Sequence, residues 1–172
     1  MITSIFKKST PINYSLIGIL TIILYFVYQF HNPTGINSWN DIAKKAGALI
    51  LIFASLLLAN FIVKKNVLTK KSSYTALYYL IFLLLFPKLF NNMNLLLANF
   101  FILLSLRRLI SLQTLKFTKE KIFDASLWIF VASLFHYWAL IFIVLVYISI
   151  IFNASRDYRN WLIPFVDRKS VV

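Results

Sequence analysis

The sequence predicts an all-α fold: a polytopic transmembrane helix bundle of about six spans in three hairpins, with both termini cytoplasmic. Three observations predict it. The composition is 60% hydrophobic and only 13% charged, against roughly a quarter charged in ordinary soluble domains. Apolar runs are too long and too numerous for one water-facing core, and the mean hydropathy is +0.80, so the hydrocarbon of a bilayer is the matching solvent. The basic residues stand in short clusters between the apolar runs. That placement suits topology signals rather than a nucleic-acid stripe, despite a net charge of +13, and no nucleic-acid partner follows from it.

The expected spans are about 12–30, 46–63, 74–90, 92–108, 122–135 and 138–153, in one integral membrane domain over 1–166. The first opens at Pro11, where a missing N–H costs little in a helix's first turn. Lys7 and Lys8 precede it as in a secretory signal, but no small-residue cleavage site follows, so an uncleaved span is the reading. A polar loop is expected over 31–45. The second run closes at Lys64 and Lys65, and a basic loop with Lys70 and Lys71 follows. The third run contains Pro87 and ends at the patch Asn91, Asn92, Met93, Asn94. The fourth closes at Arg107 and Arg108, and residues 109–117 show apolar positions at helical spacing, expected to lie along the interface.

The apolar stretch 122–152 would extend about 46 Å as one helix at 1.5 Å per residue, too long for an untilted span. Charge favours two helices meeting at Phe135-His136-Tyr137-Trp138. Six spans place Lys7, Lys8, the lysines of 64–71, Arg107, Arg108 and the basic residues of 116–121 inside, with Arg156 and Arg159. Only Lys44, Lys45 and Lys88 then fall outside. The hexapeptide Leu-Leu-Leu-Ala-Asn-Phe occurs at 56–61 and again at 95–100. Its two copies sit at different depths, so coincidence in a Leu-rich chain explains it better than a structural repeat.

Chemistry has few places to reside. Asp41, Asn91, Asn92, Asn94 and His136 share the outer side of this topology. Together they suggest an outward-facing polar cavity; taken singly, each reads more simply as a loop tip at headgroup level. Asp41 and His136 are the weak catalytic candidates, because an ionisable group between apolar runs is expensive to keep there. With only His31 and His136, no local two-histidine metal site can be built. Asp124 is expected to cap the fifth span, and Ser55, Ser105 and Ser133 to pack helices or bond their own backbone. No cofactor is implied, since there is no Walker loop, dinucleotide fingerprint, zinc spacing or nucleophile elbow. Lys64, Lys65, Lys70, Lys71, Arg107 and Arg108 are expected to contact anionic lipid headgroups on the cytoplasmic side, each near-surface charge contributing about 1 kcal/mol.

Residues 104–112, with Ile122-Phe123-Asp124-Ala125-Ser126 and Ala132-Ser133-Leu134-Phe135-His136-Tyr137-Trp138, resemble a family of multi-pass inner-membrane proteins of unknown function from Bacteroidota-type bacteria. The opening, Met1-Ile2-Thr3-Ser4-Ile5-Phe6 with Pro11 and Asn13, is similar to that family too. The resemblance covers most of 1–166 and implies the bacterial inner (cytoplasmic) membrane, without implying an activity. Ala132 to His136 also looks like a run in membrane glycosyltransferases and polysaccharide polymerases that use lipid-linked sugars; many of these place an acidic residue where Asp41 sits. The dense acidic and arginine content of their outer loops is missing here. Carotenoid-cleaving oxygenases share the general look, but their iron site needs more histidines than this chain has. Three roles therefore stand: an accessory or structural envelope component, an enzyme acting on a lipid-linked or isoprenoid substrate, and a transporter. The first is preferred. The third is disfavoured by the lack of a Gly-rich broken span.

The last six residues, Asp167-Arg168-Lys169-Ser170-Val171-Val172, can be encoded GAT-CGG-AAG-AGC-GTC-GTG, which looks like a common short-read sequencing adapter in frame. The natural sequence is therefore expected to end its match near Val166, leaving a C-terminally truncated fragment. Long-read sequencing across the locus should show the frame continuing past Val166 with different residues. Recovery of these same codons in genomic context would refute that.

Overall fold

The computed structural model describes residues 11–31, 39–66, 73–114, 116–153 and Pro164. Lys7, Lys8, Lys70, Lys71, Arg156, Arg159 and the tail 167–172 lie outside the described residues. Among those described, every regular element is helical. The α-helices are α1 Pro11–His31, α2 Trp39–Lys65, α3 Tyr74–Leu85, α4 Met93–Ile110, α5 Thr118–Phe135 and α6 Ile143–Asn153, joined in part by 3-10 helices at Pro87–Asn91, Ser111–Thr114 and Tyr137–Phe142. Three stretches are long and apolar enough to cross a membrane: Pro11–His31, Trp39–Lys65 and Met93–Thr114. Tyr74–Leu85 and Tyr137–Asn153 are shorter apolar helical stretches. The contacts divide the chain into two compact units, 1–96 and 97–172.

In the first unit, α1 and α2 run antiparallel. The Tyr14 hydroxyl, near the start of α1, donates to Asn60 Oδ1 near the end of α2 at 3.3 Å. Near the other end, the Tyr25 hydroxyl donates to the Lys45 carbonyl at 2.8 Å. α3 packs on both, with Ala76 and Leu80 against Ile17 and Leu56, and Leu83 in the cluster of Tyr25, Ala48 and Ile52. The polarity of α1 is inverted relative to a water-soluble helix. It buries Asn13, Ile17, Thr21 and Tyr25, one face at four-residue spacing, and exposes Ile12, Ile19, Ile23, Phe26 and Phe30. Thr21 is satisfied within its own helix, its hydroxyl donating to the Ile17 carbonyl at 2.8 Å.

In the second unit, α4 and α5 run antiparallel, as do α5 and α6. Leu109 and Leu112, Ile122 at the start of α5 and Ile150 late in α6 share one core with Ala125, Ile129 and Val146. Toward the opposite end, Ala98, Ala132 and Ala139 let the backbones approach, and Phe101 stacks between Trp128 and Phe135 at 5.6 Å from each.

Several boundaries differ from expectation, each for a local reason. α2 begins at Trp39 rather than near residue 46. Asp41 in its first turn complements the N-terminal dipole, and Ala43, Lys44 and Lys45 favour helix. The expected 74–90 span is α-helical only to Leu85. Pro87 disfavours helical backbone at the residue before it, and Phe86 is accordingly turned out of the helix (φ −125°, ψ 63°). α5 starts at Thr118, so Asp124 is one and a half turns inside it and is not its cap. In residues 109–112, Leu109 and Leu112 are core side chains packed on α5 and α6. The apolar stretch from 122 breaks at His136, whose backbone is extended (φ −150°, ψ 105°). The hexapeptide copies bury different positions, Leu56 in the first and Leu96 with Ala98 in the second, so they are not structural equivalents.

Among the described residues, the buried hydroxyls Ser55 Oγ and Ser105 Oγ have no hydrogen-bond partner, whereas Ser133 bonds the Phe130 carbonyl at 2.7 Å. An unsatisfied buried polar group costs about 1–3 kcal/mol. Ser55→Ala and Ser105→Ala should therefore leave stability unchanged or raise it by about 1 kcal/mol in detergent-micelle unfolding. Ile129→Ala in the same assay should lose about 2–5 kcal/mol.

Candidate functional site

The first unit has a cleft at the end of α1 that carries Gln29 and His31. Its construction starts with Pro87. By ending α3, Pro87 starts the 3-10 helix Pro87–Asn91, which turns Phe90 inward. Phe90 is 3% exposed and its ring meets Tyr25 edge-on at 5.7 Å and Tyr28 at 5.4 Å. Seating Phe90 carries Asn91 to α1, where Gln29 Nε2 donates to Asn91 Oδ1 at 2.9 Å. The early helical start of α2 brings Asp41, Lys44 and Lys45 to the same place.

The resulting cleft has a volume of about 220 Å³. Its polar wall is Asp41, Lys44, Lys45 and Asn91; its apolar wall is Ala48, Phe90 and Met93. Gly47 keeps that wall close, since a Cβ there would stand 3.1 Å from Met93 Cε. Gln29 Oε1 is buried with no hydrogen-bond partner. One carboxylate, two ammonium groups and a carboxamide beside an apolar surface can bind an amphiphile with a charged head. Lys44 and Lys45 carry no sequence motif; only the helical start of α2 brings them beside Asn91.

The other candidate residues are placed separately. Asn92 ends the 3-10 helix, and its Oδ1 accepts from the Leu95 N–H at 3.3 Å, an N-cap contact for α4. Asn94 is exposed in the first turn of α4. Neither lines the cleft. His136 belongs to the second unit, half-buried at the break between α5 and Tyr137–Phe142. Its N–H donates to the Ala132 carbonyl at 3.0 Å and its carbonyl accepts from the Ala139 N–H at 2.8 Å. Its ring lies 5.9 Å from that of Tyr137. Among the described residues, no group of three or more His, Asp and Glu side chains could hold a metal ion.

The basic residues expected to meet lipid are placed in detail where described. Lys64 Nζ sits 4.3 Å from the Tyr14 ring centroid, and Lys65 Nζ 5.5 Å from that of Phe61; both lysines remain exposed, as amphipathic side chains at a helix end can. Arg107 is in the last turn of α4. Arg108 pairs with Asp124 at 3.2 Å, the role that Asp124 has in place of a cap. Lys121 Nζ donates to the Ser111 carbonyl and to Thr114 Oγ1, both at 2.7 Å. Burial, and secondarily the nearby Arg108 charge, push the Lys121 pKa below its ordinary value.

Comparison of the chain with protein-family models, curated proteins and solved structures finds no match.

Because Phe90 anchors Asn91, Phe90→Ala should cost about 3–5 kcal/mol and dismantle the cleft. Phe90→Leu, which keeps an apolar anchor, should cost less. Detergent-micelle unfolding ranks the two variants; equal losses would remove Phe90 as the anchor.

Proposed function

We propose that the chain is a multi-pass integral protein of the bacterial inner membrane, with an accessory or structural role in an envelope assembly. The observation that carries this reading is the large exposed apolar surface of its long helices, joined in α1 by an inward-facing polar stripe. In the most apolar windows of the three long stretches, only 22%, 28% and 28% of residues are buried. α1 turns Asn13, Thr21 and Tyr25 inward and leaves Phe30 83% exposed. Contiguous apolar surface of this kind is tolerated in lipid and is an association hazard in water.

In this reading the chain crosses the membrane about six times with both termini cytoplasmic, and it is related to the inner-membrane family it resembles. Helix lengths support the shorter crossings. Tyr137–Asn153 combines six residues of 3-10 helix with eleven of α-helix, about 28 Å at 2.0 and 1.5 Å per residue. That is close to a hydrocarbon core of about 30 Å. Lys64, Lys65, Arg107 and Arg108 then sit at cytoplasmic ends and attract anionic lipid. A second reading, an enzyme acting on a lipid-linked or isoprenoid substrate, is favoured by one observation: Asp41 shares its cleft with two lysines able to hold a phosphate.

The chain has no cysteine, so single introduced cysteines report topology without background. Asn92→Cys should react with a membrane-impermeant maleimide in intact spheroplasts. Lys119→Cys should react only after permeabilisation. Equal labelling of both would overturn the topology.

A further inference from the structure

The cleft of the first unit has a composition that neither anionic-lipid attraction nor an accessory role explains. A site for a simple anion has no use for a carboxylate in its wall, and Asp41 stands there with Lys44 and Lys45. A ligand with one negative and one positive group, linked closely, uses all three. Of the apolar wall, Ala48 and Phe90 are core side chains and half-buried Met93 is the one left to meet an aliphatic portion. At about 220 Å³ the cleft is smaller than the roughly 300–1,000 Å³ of pockets that enclose a drug-sized ligand, so it suits a headgroup with its chains outside.

We propose that this cleft binds one zwitterionic phospholipid with a primary amine on its headgroup, phosphatidylethanolamine, from the leaflet at the Asp41 end. This rests on the chain spanning a membrane. The Lys44 and Lys45 ammonium groups and the Asn91 amide nitrogen donate to the phosphodiester, a charge-assisted arrangement stronger than neutral hydrogen bonds. The lipid ammonium donates to Asp41. Asp41 and Lys45 are not without partners of their own; a carboxylate has two acceptor oxygens and an ammonium three donors, so each has capacity for a second. Met93, half-buried at the cleft wall, receives the glycerol carbons. Phosphatidylcholine fits less well, because its quaternary nitrogen has no N–H to give Asp41. Phosphatidylglycerol has no amine and leaves Asp41 facing a net anion.

The test uses the purified 172-residue chain in detergent micelles, with dioleoyl-phosphatidylethanolamine, -choline or -glycerol added and retained lipid read by native mass spectrometry. Phosphatidylethanolamine should be retained about tenfold better than phosphatidylcholine, the scale of one charge-assisted hydrogen bond. Asp41→Asn should abolish that preference and Asp41→Glu should keep it. The Lys44→Gln, Lys45→Gln pair should lower retention of both lipids. Asn94→Ala, outside the cleft, should change nothing. Equal retention of ethanolamine and choline lipids, tighter retention of phosphatidylglycerol, or a preference that survives Asp41→Asn would overturn the proposal. So would complete displacement by soluble phosphoethanolamine, which would assign the site to a free solute. Extraction separates the two readings. A chain soluble without detergent sinks the membrane assignment; one that needs detergent yet shows no ethanolamine preference sinks only this site.

Discussion

The constraint behind this structure is that apolar surface cannot sort one helix face from another when nearly every face is apolar. Packing must then come from small residues, close backbones and local polar contacts. The buried positions fit that rule. Ala48, Ala76, Ala98, Ala125, Ala132 and Ala139 recur at helix contacts, with Ser55, Ser105 and Ser126 among the most deeply buried side chains. Asn13, Thr21 and Tyr25 mark the inner face of α1 where a soluble helix would place leucines. Large apolar side chains occupy both sides: Ile17, Ile52, Leu80 and Ile129 are buried, while Ile19, Ile23, Phe26 and Phe30 are exposed. The two unpartnered serine hydroxyls show that small size outweighs hydrogen-bond satisfaction at the tightest contacts.

Two breaks in otherwise continuous apolar runs shape the rest. Pro87 ends α3, and His136 separates α5 from the helical stretch after it. Each break leads into a 3-10 helix, which rises about 2.0 Å per residue and so lengthens a short helical stretch with few residues. The consequences differ. At Pro87 the 3-10 helix swings Phe90 between Tyr25 and Tyr28 and brings Asn91 to Gln29, creating a polar cleft. At His136 the backbone closes its own hydrogen bonds to Ala132 and Ala139, so the histidine acts first as a corner.

Charged residues near the helix ends carry out more structural work than a topology count assigns them. Lys64 covers the Tyr14 ring, Arg108 pairs with Asp124, and Lys121 binds both ends of the 3-10 helix after α4. The Arg108–Asp124 pair is partly exposed, at 49% and 30%, so it contributes no more than about 1 kcal/mol. Its value is orientational, joining the end of α4 to α5. These contacts leave Lys64, Lys65, Arg107 and Arg108 exposed at helix ends.

Much of this was legible in the sequence because it depends on hydropathy and on single residues with strong local effects. Run lengths and composition determined an all-helical chain with stretches able to cross a membrane. The Phe135–Trp138 corner was visible because one helix through 122–152 would be too long, and Pro11 marked the start of α1. The helical state of 39–45 was not legible, since a polar segment after a loop reads equally as loop or as the emerging end of a helix. The burial of Leu109 and Leu112 was also hidden: apolar spacing gives a face but not what it meets. Tertiary structure alone decided that Lys44 and Lys45 join Asp41 and Asn91 in one cleft, while Asn92, Asn94 and His136 do not, because the lining comes from two elements nearly fifty residues apart. Their meeting depends on the seating of Phe90 between two tyrosines, a packing choice that no local pattern encodes.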